Sequence, residues 1–316
     1  MRFLTSLFRQ NVPFDSASAA ALSGAVRAVG GSDAVRKSAL DVTSHLHMAS
    51  GASGQVHVRA LHEGGLEMVL WSDGTLRVEP FPHASDVTVF TDHWHDDNGD
   101  CVLVRVLDGS SAVDLPFGVM EQALRNSPFT GDAWAISAGS DEITVLVLDG
   151  LGHGPLAGNV AIAGIEALRG LTPSSPSDDL RAVHGALKGT VGAAAAVARV
   201  ASRGVVDFSG IGNIEATLVM GGRRAGLVSF PGIVGQGSPS FRLFRHVLLG
   251  RSHLIMHTDG LRARWKPTDY PDLFVRHPAL IAGVLFRDCW RQSDDALVLV
   301  IEVSDDVHAK FDHLPA

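Results

Sequence analysis

The sequence predicts an α+β fold built on antiparallel sheets. Two observations carry this: short strand-like segments recur along the chain, and several are joined by glycine turns such as "MGGRR", too short for a parallel crossover. A third is the small number of stretches with helical periodicity, set among the strands rather than strictly alternating with them.

In chain order, "DSASAAALSGAVRAVGG" and "SDAVRKSALDVTSHLHMAS" read as two helices that open on Asp or Ser caps, the first ending at paired glycines. The run "GQVHVRALHEGGLEMVLWSDGTLRVEPF" alternates apolar and polar residues across a Gly-Gly turn, which marks a hairpin. "DVTVFTDHWHDDNGDCVLVRVLDG" supplies two more strands around Asp-Asn-Gly. Residues 1–110 therefore form a small α+β domain. A second domain, 111–304, holds the strands "AWAISA", "EITVLVLDG", "AAAAVARVAS", "GVVDFSGIG", "EATLVMGG", "HLIMHTDG" and "ALVLVIEVS". Its helices are "PLAGNVAIAGIEALRGL", "SDDLRAVHGALKG" and "HPALIAGVLFRDCWRQ", and residues 305–316 read as a polar tail.

With 316 residues, 46% hydrophobic and 19% charged, the chain can bury a sizeable core without staples. A net charge of −8 argues against nucleic-acid binding. Two cysteines, Cys101 and Cys289, form no CxxC pair, so a reducing, cytoplasmic setting is expected. No apolar run is long enough to cross a bilayer, so no membrane partner is expected.

The chemistry concentrates in carboxylates at strand ends: Asp132 in "TGDAWAI", Asp149 in "VLDGLGHG", Asp259 in "MHTDGL", and Asp294 with Asp295 in "QSDDALVLV". A strand end holds an acid rigidly, and a following glycine lets the backbone carbonyl approach an ion. Hard divalent cations prefer such oxygen ligands. Any single Asp-Gly is more often a turn; the signal lies in the set. A dinucleotide site is the competing reading for "LDGLGHGPLAG". Gly150, Gly152 and Gly154 do not follow G-x-G-x-x-G, and no acid-bearing second strand follows at the required distance.

The ordered blocks "GDAWAI", "VLVLDGLGHGPLAG", "HGALKGTVGAAAAVARV", "FSGIGNIEATLV", "HTDGL", "RHPALIAGVLFRD" and "SDDALVLV" resemble SpoIIE-type bacterial serine phosphatases. These are relatives of the protein phosphatase 2C group, and the likeness is to the RsbX-like branch. The resemblance covers about residues 112–303. It implies a four-layer α-β-β-α sandwich with two Mn²⁺ or Mg²⁺ ions at one edge. It implies Asp132, Asp149 and the Gly150 carbonyl as ligands from the first half, with Asp149 bridging. Asp259 and Asp294 come from the second half, with Asp295 as the alternative to Asp294. A threonine common in the family two residues after that pair is Leu297 here. The implied reaction is metal-dependent hydrolysis of phosphoserine or phosphothreonine. His153 is a candidate general acid, or else packs in its loop. Asn213 either positions its loop near the metals or the substrate or, the favoured reading, serves the turn, since Asn tolerates positive φ. The implied substrate is a phosphorylated STAS-domain protein, either an anti-sigma-factor antagonist or a stressosome scaffold.

Residues 10–80 resemble a histidine-kinase-type ATPase domain with its motifs eroded: Asp41, Ser44 and His45 where an acid and an asparagine belong, and Asp73-Gly74 as a remnant of the lid. A docking or homodimerising module is the expected role. The alternatives are a pseudo-phosphatase scaffold and a bifunctional kinase and phosphatase. On a strand, His93 and His95 would share a face, a weak metal signal without further ligands.

Overall fold

The structure is a computed structural model that describes residues 2–5, 9–15, 19–29, 32–61, 64–80, 85–109, 115–124, 127, 129–139, 141–171, 174–201, 204–248 and 250–304. The expected tail, 305–316, and the paired glycines at 30 and 31 lie outside the described residues. The first half of the chain contributes β1 (Arg2–Thr5), β2 (Arg9–Asp15), α1 (Ala19–Val29), α2 (Asp33–Ser44), β3 (Leu46–Met48), β4 (Ser53–Ala60), β5 (Leu66–Ser72), β6 (Leu76–Val78), β7 (Val87–Asp96) and β8 (Gly99–Asp108). Then follow β9 (Phe117–Gln122), β10 (Asp132–Ala138), β11 (Glu142–Gly150), α3 (Pro155–Arg169), α4 (Pro176–Ala186), β12 (Ala193–Ala201), β13 (Val205–Ile211), β14 (Glu215–Met220), β15 (Arg223–Leu227), β16 (Phe244–Val247), β17 (Ser252–His257), α5 (Pro278–Cys289) and β18 (Ala296–Val303).

Two antiparallel sheets face each other. Sheet one runs β1-β10-β11-β12-β13-β16 and sheet two runs β15-β14-β17-β18-β9. Period-two alternation decides what each strand buries. On β11, Val145 and Val147 enter the space between the sheets, while Leu146 and Leu148 face α3 and α4. On β18, Leu297, Leu299 and Ile301 face sheet one, whereas Ala296, Val298 and Val300 face α5. Strands buried on both faces read as unbroken apolar runs, which is how "ALVLVIEV" looks in sequence. Helices α3 and α4 cover sheet one and α5 covers sheet two, so the α-β-β-α sandwich is present. Ser175 caps α4, accepting a hydrogen bond from the Asp178 amide at 3.2 Å, and Pro176 opens the helix.

Strand β1, from the extreme N-terminal side of the expected domain boundary, joins this sandwich by pairing with β10. Of the remaining N-terminal strands, β3 pairs separately with β6, and five form a third sheet, β2-β4-β5-β8-β7. Its Val56, Met68 and Val104 face α1 and α2, and its Val69, Trp71 and Leu103 face α5. Helix α5 is therefore enclosed, with Pro278 through Phe286 and Cys289 all buried. Gly283 permits the contact, because a side chain there would collide with Val69 of β5. Among the described residues, no helix is long and apolar enough to cross a membrane.

On the α5 side of sheet three, three charged residues sit abreast on neighbouring strands, Arg59 beside Glu67 and Glu67 beside Arg105. All three are buried. Glu67 accepts from Arg59 at 2.8 Å and from Arg105 Nε at 2.8 Å. Arg105 also donates to the carbonyls of Leu115 at 2.9 Å and Phe117 at 2.6 Å, at the start of β9. The Arg59 guanidinium lies 5.5 Å from the Phe117 ring centroid and 5.8 Å from that of Trp134. Burial pushes the Glu67 carboxyl up, but the two guanidiniums outweigh it and hold it below the usual range. Removing one partner of such a network strands the others' charge. Glu67→Gln is expected to lower stability by about 3–5 kcal/mol, read as a shifted urea midpoint with an unchanged m-value.

Candidate active site

Register brings the first two acids together. Asp132 opens β10 and stands directly opposite Asp149, near the end of β11. Both are held at the same edge of sheet one. On sheet two, β17 ends at His257 and leads into Thr258, Asp259 and Gly260, while Asp294 and Asp295 immediately precede β18. Hydrogen bonds join the two edges. The Thr258 hydroxyl donates to Asp132 Oδ2 at 2.7 Å and accepts from the Leu297 amide at 3.0 Å. Asp295 accepts from the Leu124 amide at 2.6 Å and the Gly131 amide at 2.7 Å, one on each oxygen. Asn213, in the turn between β13 and β14, donates to Asp259 Oδ2 at 2.6 Å.

The loop after β11 is shaped by glycines. A Cβ on Gly150 would sit 2.7 Å from the Ala157 carbonyl in the first turn of α3, so only glycine lets that helix close on the strand end. Gly154, the residue before α3, holds φ at 76°, which glycine adopts without strain.

Burial and mutual repulsion dominate the electrostatics. Asp132 is driven well above the usual carboxylate range, first by burial and then by the charge of Asp149, with the Thr258 hydroxyl opposing. Asp149 is pushed up to about 7 by burial and by Asp259, Asp294 and Asp295, a hydrogen bond from Asn213 opposing. Asp294 is raised by burial and by Asp259 and Asp295, against its bond to the Asp295 amide and the nearby His153. So the five acids share one field. They do not close on a point: among the described residues, no three His, Cys, Asp or Glu side chains already stand as a metal's ligands would. Still, the donor set is carboxylate and backbone oxygen, its charge unneutralised by any ion pair among the described residues, and this is the chemistry a hard divalent cation takes.

The two candidates at 294 and 295 differ. Asp295 is buried with each oxygen occupied by a backbone amide, whereas Asp294 is exposed and held only by the Asp295 amide, at 2.9 Å on one oxygen. His153 is exposed and makes no hydrogen bond among the described residues. Asn213 departs from the turn reading. The positive φ of that turn belongs to Gly212, at 90°, and the asparagine amide serves the acids, donating to Asp259 and bonding Asp149. Thr258 was not anticipated, yet its signal was present: in a strand ending "HTDG", alternation points the residue before Asp259 to the opposite face, toward sheet one.

The residues expected to be remnants of an ATPase motif make local contacts. Asp73 accepts from the Ser53 amide at 2.7 Å and hydroxyl at 2.8 Å, and Ser44 and His45 bond the Asp41 carbonyl at the end of α2. His93 and His95 do share a face, and both approach Oδ1 of the buried Asp100. His47 lies 3.6 Å from Glu79.

No protein-family model matches the sequence, and no curated protein matches it. Solved structures do match. One is a chain from work on the bacterial stressosome as a modular system adapted to control secondary messenger signalling, 24% identical with a TM-score of 0.55. That match covers 59% of this chain and 98% of the other. RsbX in complex with magnesium is 20% identical, TM-score 0.50, covering 59% of this chain and 94% of that one. The SiaA-PP2C domain of Pseudomonas aeruginosa is 15% identical, TM-score 0.50, covering 60% of this chain and 86% of that one. At these identities the fold is what is shared, and it is that of the PP2C-type serine/threonine phosphatases.

Because Asp149 titrates near 7 folded and at the ordinary 3.8 unfolded, the native state binds more protons between those values. Stability without divalent cations is expected to fall as pH rises through that window. Asp149→Asn removes the penalty, so its melting temperature at pH 8 should exceed that of the parent by a few degrees, at roughly 2–4 °C per kcal/mol. The gain should vanish below pH 4. Thermal melts across pH in the presence of a chelator measure both.

Proposed function

We propose that the protein is a metal-dependent phosphatase acting on phosphoserine or phosphothreonine in a protein substrate. The observation that carries this is the face-to-face placement of Asp132 and Asp149 on one sheet edge, joined through Thr258 to the edge that bears Asp259 and Asp294. The residues that would hold two divalent ions, Mn²⁺ or Mg²⁺, are Asp132, Asp149, the Gly150 carbonyl, Asp259 and Asp294. When bound, such ions neutralise phosphate charge and acidify water for attack at phosphorus.

The chain's own residues do the rest. Thr258 holds one oxygen of Asp132 and so fixes its side-chain rotamer. Asn213 orients Asp259. Asp295 serves as a clamp between the loop before β10 and the loop before β18, keeping the two sheet edges in register. His153, unencumbered and within the field of Asp294, donates a proton to the seryl oxygen as it departs. Asp132 and Asp149 repel each other in the buried edge, and a divalent cation relieves that repulsion.

The substrate in this reading is a phosphorylated STAS-domain regulator of sigma-factor or stress signalling. The support is the ordered motif resemblance, together with the stressosome and RsbX contexts in which similar folds were solved.

Hydrolysis of p-nitrophenyl phosphate with Mn²⁺ tests the reading. Asp149→Asn and Asp132→Asn should each cut kcat by two orders of magnitude or more, on the order of 3 kcal/mol of barrier. Turnover that persists in chelator, or that survives Asp149→Asn, refutes it. The two adjacent acids should separate cleanly. Asp294→Asn is expected to weaken Mn²⁺ activation while leaving the melting temperature of the chelated protein unchanged or higher. Asp295→Asn, which leaves two buried amides poorly satisfied, should lower stability by about 1–3 kcal/mol before any kinetic effect is read.

A further inference from the structure

The mouth of the site is two-sided. On the sheet-one side, large apolar side chains stand in solvent: Leu156 is 69% exposed, Phe129 48%, Leu151 40% and Val191 39%. Each belongs to a segment that carries or abuts an acid. Phe129 precedes Asp132 by three residues, and its Cβ lies 3.9 Å from where a Cβ on Gly158 of α3 would be. Leu151 follows Gly150, and its amide donates to the Gly192 carbonyl at 2.9 Å, next to Val191. Leu156 sits in the first turn of α3. Packing does not explain four such side chains bordering a carboxylate cluster, since burying one Leu-sized group is worth about 1.5–3 kcal/mol.

The sheet-two side adds an arginine beside its acids. A bridge pairs Leu261 with Trp290, and the Arg291 amide donates to the Gly260 carbonyl at 2.9 Å. Arg291 is thus held across from the residue after Asp259 and three residues before Asp294. Its side chain is exposed and has neither a carboxylate partner nor a hydrogen bond among the described residues. Gln292, beside it, adopts a left-handed backbone with φ at 59°, a conformation that side chains other than glycine, Asn or Asp seldom take.

Resting on the phosphatase reading above, we propose that this mouth selects its substrate. It takes a phosphorylated serine in a protein segment with apolar residues on one flank and acidic residues on the other. The apolar flank seats on Phe129, Leu151, Leu156 and Val191. The acidic flank meets Arg291, whose guanidinium suits carboxylates in fork geometry. A segment basic on that flank is repelled by Arg291.

Four short phosphoserine peptides test this on the full-length protein with Mn²⁺. Two carry leucines on one flank and aspartates on the other, in opposite polarities; a third has Ser and Gln flanks, and a fourth replaces the aspartates by lysines. The better of the first two should exceed the neutral peptide about tenfold or more in kcat/KM, the equivalent of one well-made contact. Leu156→Glu and Arg291→Glu should each bring that ratio toward one. Both positions are exposed, so neither change threatens folding. Arg291→Glu should in turn prefer the lysine-flanked peptide. Equal kcat/KM on all four peptides, or an advantage that survives both substitutions, overturns the proposal while leaving the phosphatase intact. If none of the peptides is hydrolysed, the phosphatase reading falls and this one with it.

Discussion

Two sheets that share an apolar interior must also meet at their edges, and here the meeting is made by hydrogen bonds to carboxylates. Asp295 takes one amide from the end of β9 and another from the start of β10; Thr258 ties the end of β17 to Asp132. The Gly131 and Thr258 bonds cross from one sheet to the other at the place where the acids cluster. Everything proposed for the site depends on them, because they hold the acids of sheet one against those of sheet two.

The arrangement is costly in isolation. Asp132 and Asp149 are buried, like-charged and driven upward in pKa. Such a cluster persists because the surrounding structure over-determines it. Val145, Val147, Phe208, Leu254 and Leu299 are among the residues filling the space between the sheets, and α3 seals the outer face over Leu146 and Leu148. Unpaired buried acids at the rim of a well-packed core are a recognised mark of a site adapted to a cation or a charged substrate. The same reasoning separates Asp295 from its neighbour: both its oxygens are held by amides, so it belongs to the framework, while Asp294 stands in solvent with a single amide on one oxygen.

The sandwich and the acids were legible because both leave local marks. Doubly buried strands such as "ALVLVIEV" show as continuous apolar runs, and acids beside glycine at strand ends stand out against them. What sequence could not show is set by tertiary partners. Strand β1 forms from an unremarkable "RFLT" because β10 offers it an edge. The choice between Asp294 and Asp295 turns on which one finds the amides of Leu124 and Gly131, far off in sequence. Asn213 was read from local turn chemistry, but Gly212 already met that need and freed the amide for Asp259. Thr258 was hidden by its more conspicuous neighbour.

The N-terminal half is not simply appended to the sandwich. Its sheet lies on α5, and its buried Arg59, Glu67 and Arg105 reach the first residues of β9 through the carbonyls of Leu115 and Phe117. That strand runs six residues and, two residues past its end, offers the Leu124 amide to Asp295. Arg59 lies over Trp134, which is two residues beyond Asp132 on β10. One strand thus carries, at its start, the ionic contact of the N-terminal sheet and, just past its end, the clamp of the carboxylate edge. A rigid strand has little freedom to move one end without the other. The N-terminal sheet therefore bears on the two strands, β9 and β10, that lead to Asp295 and Asp132, and ties the site's geometry to both halves of the chain.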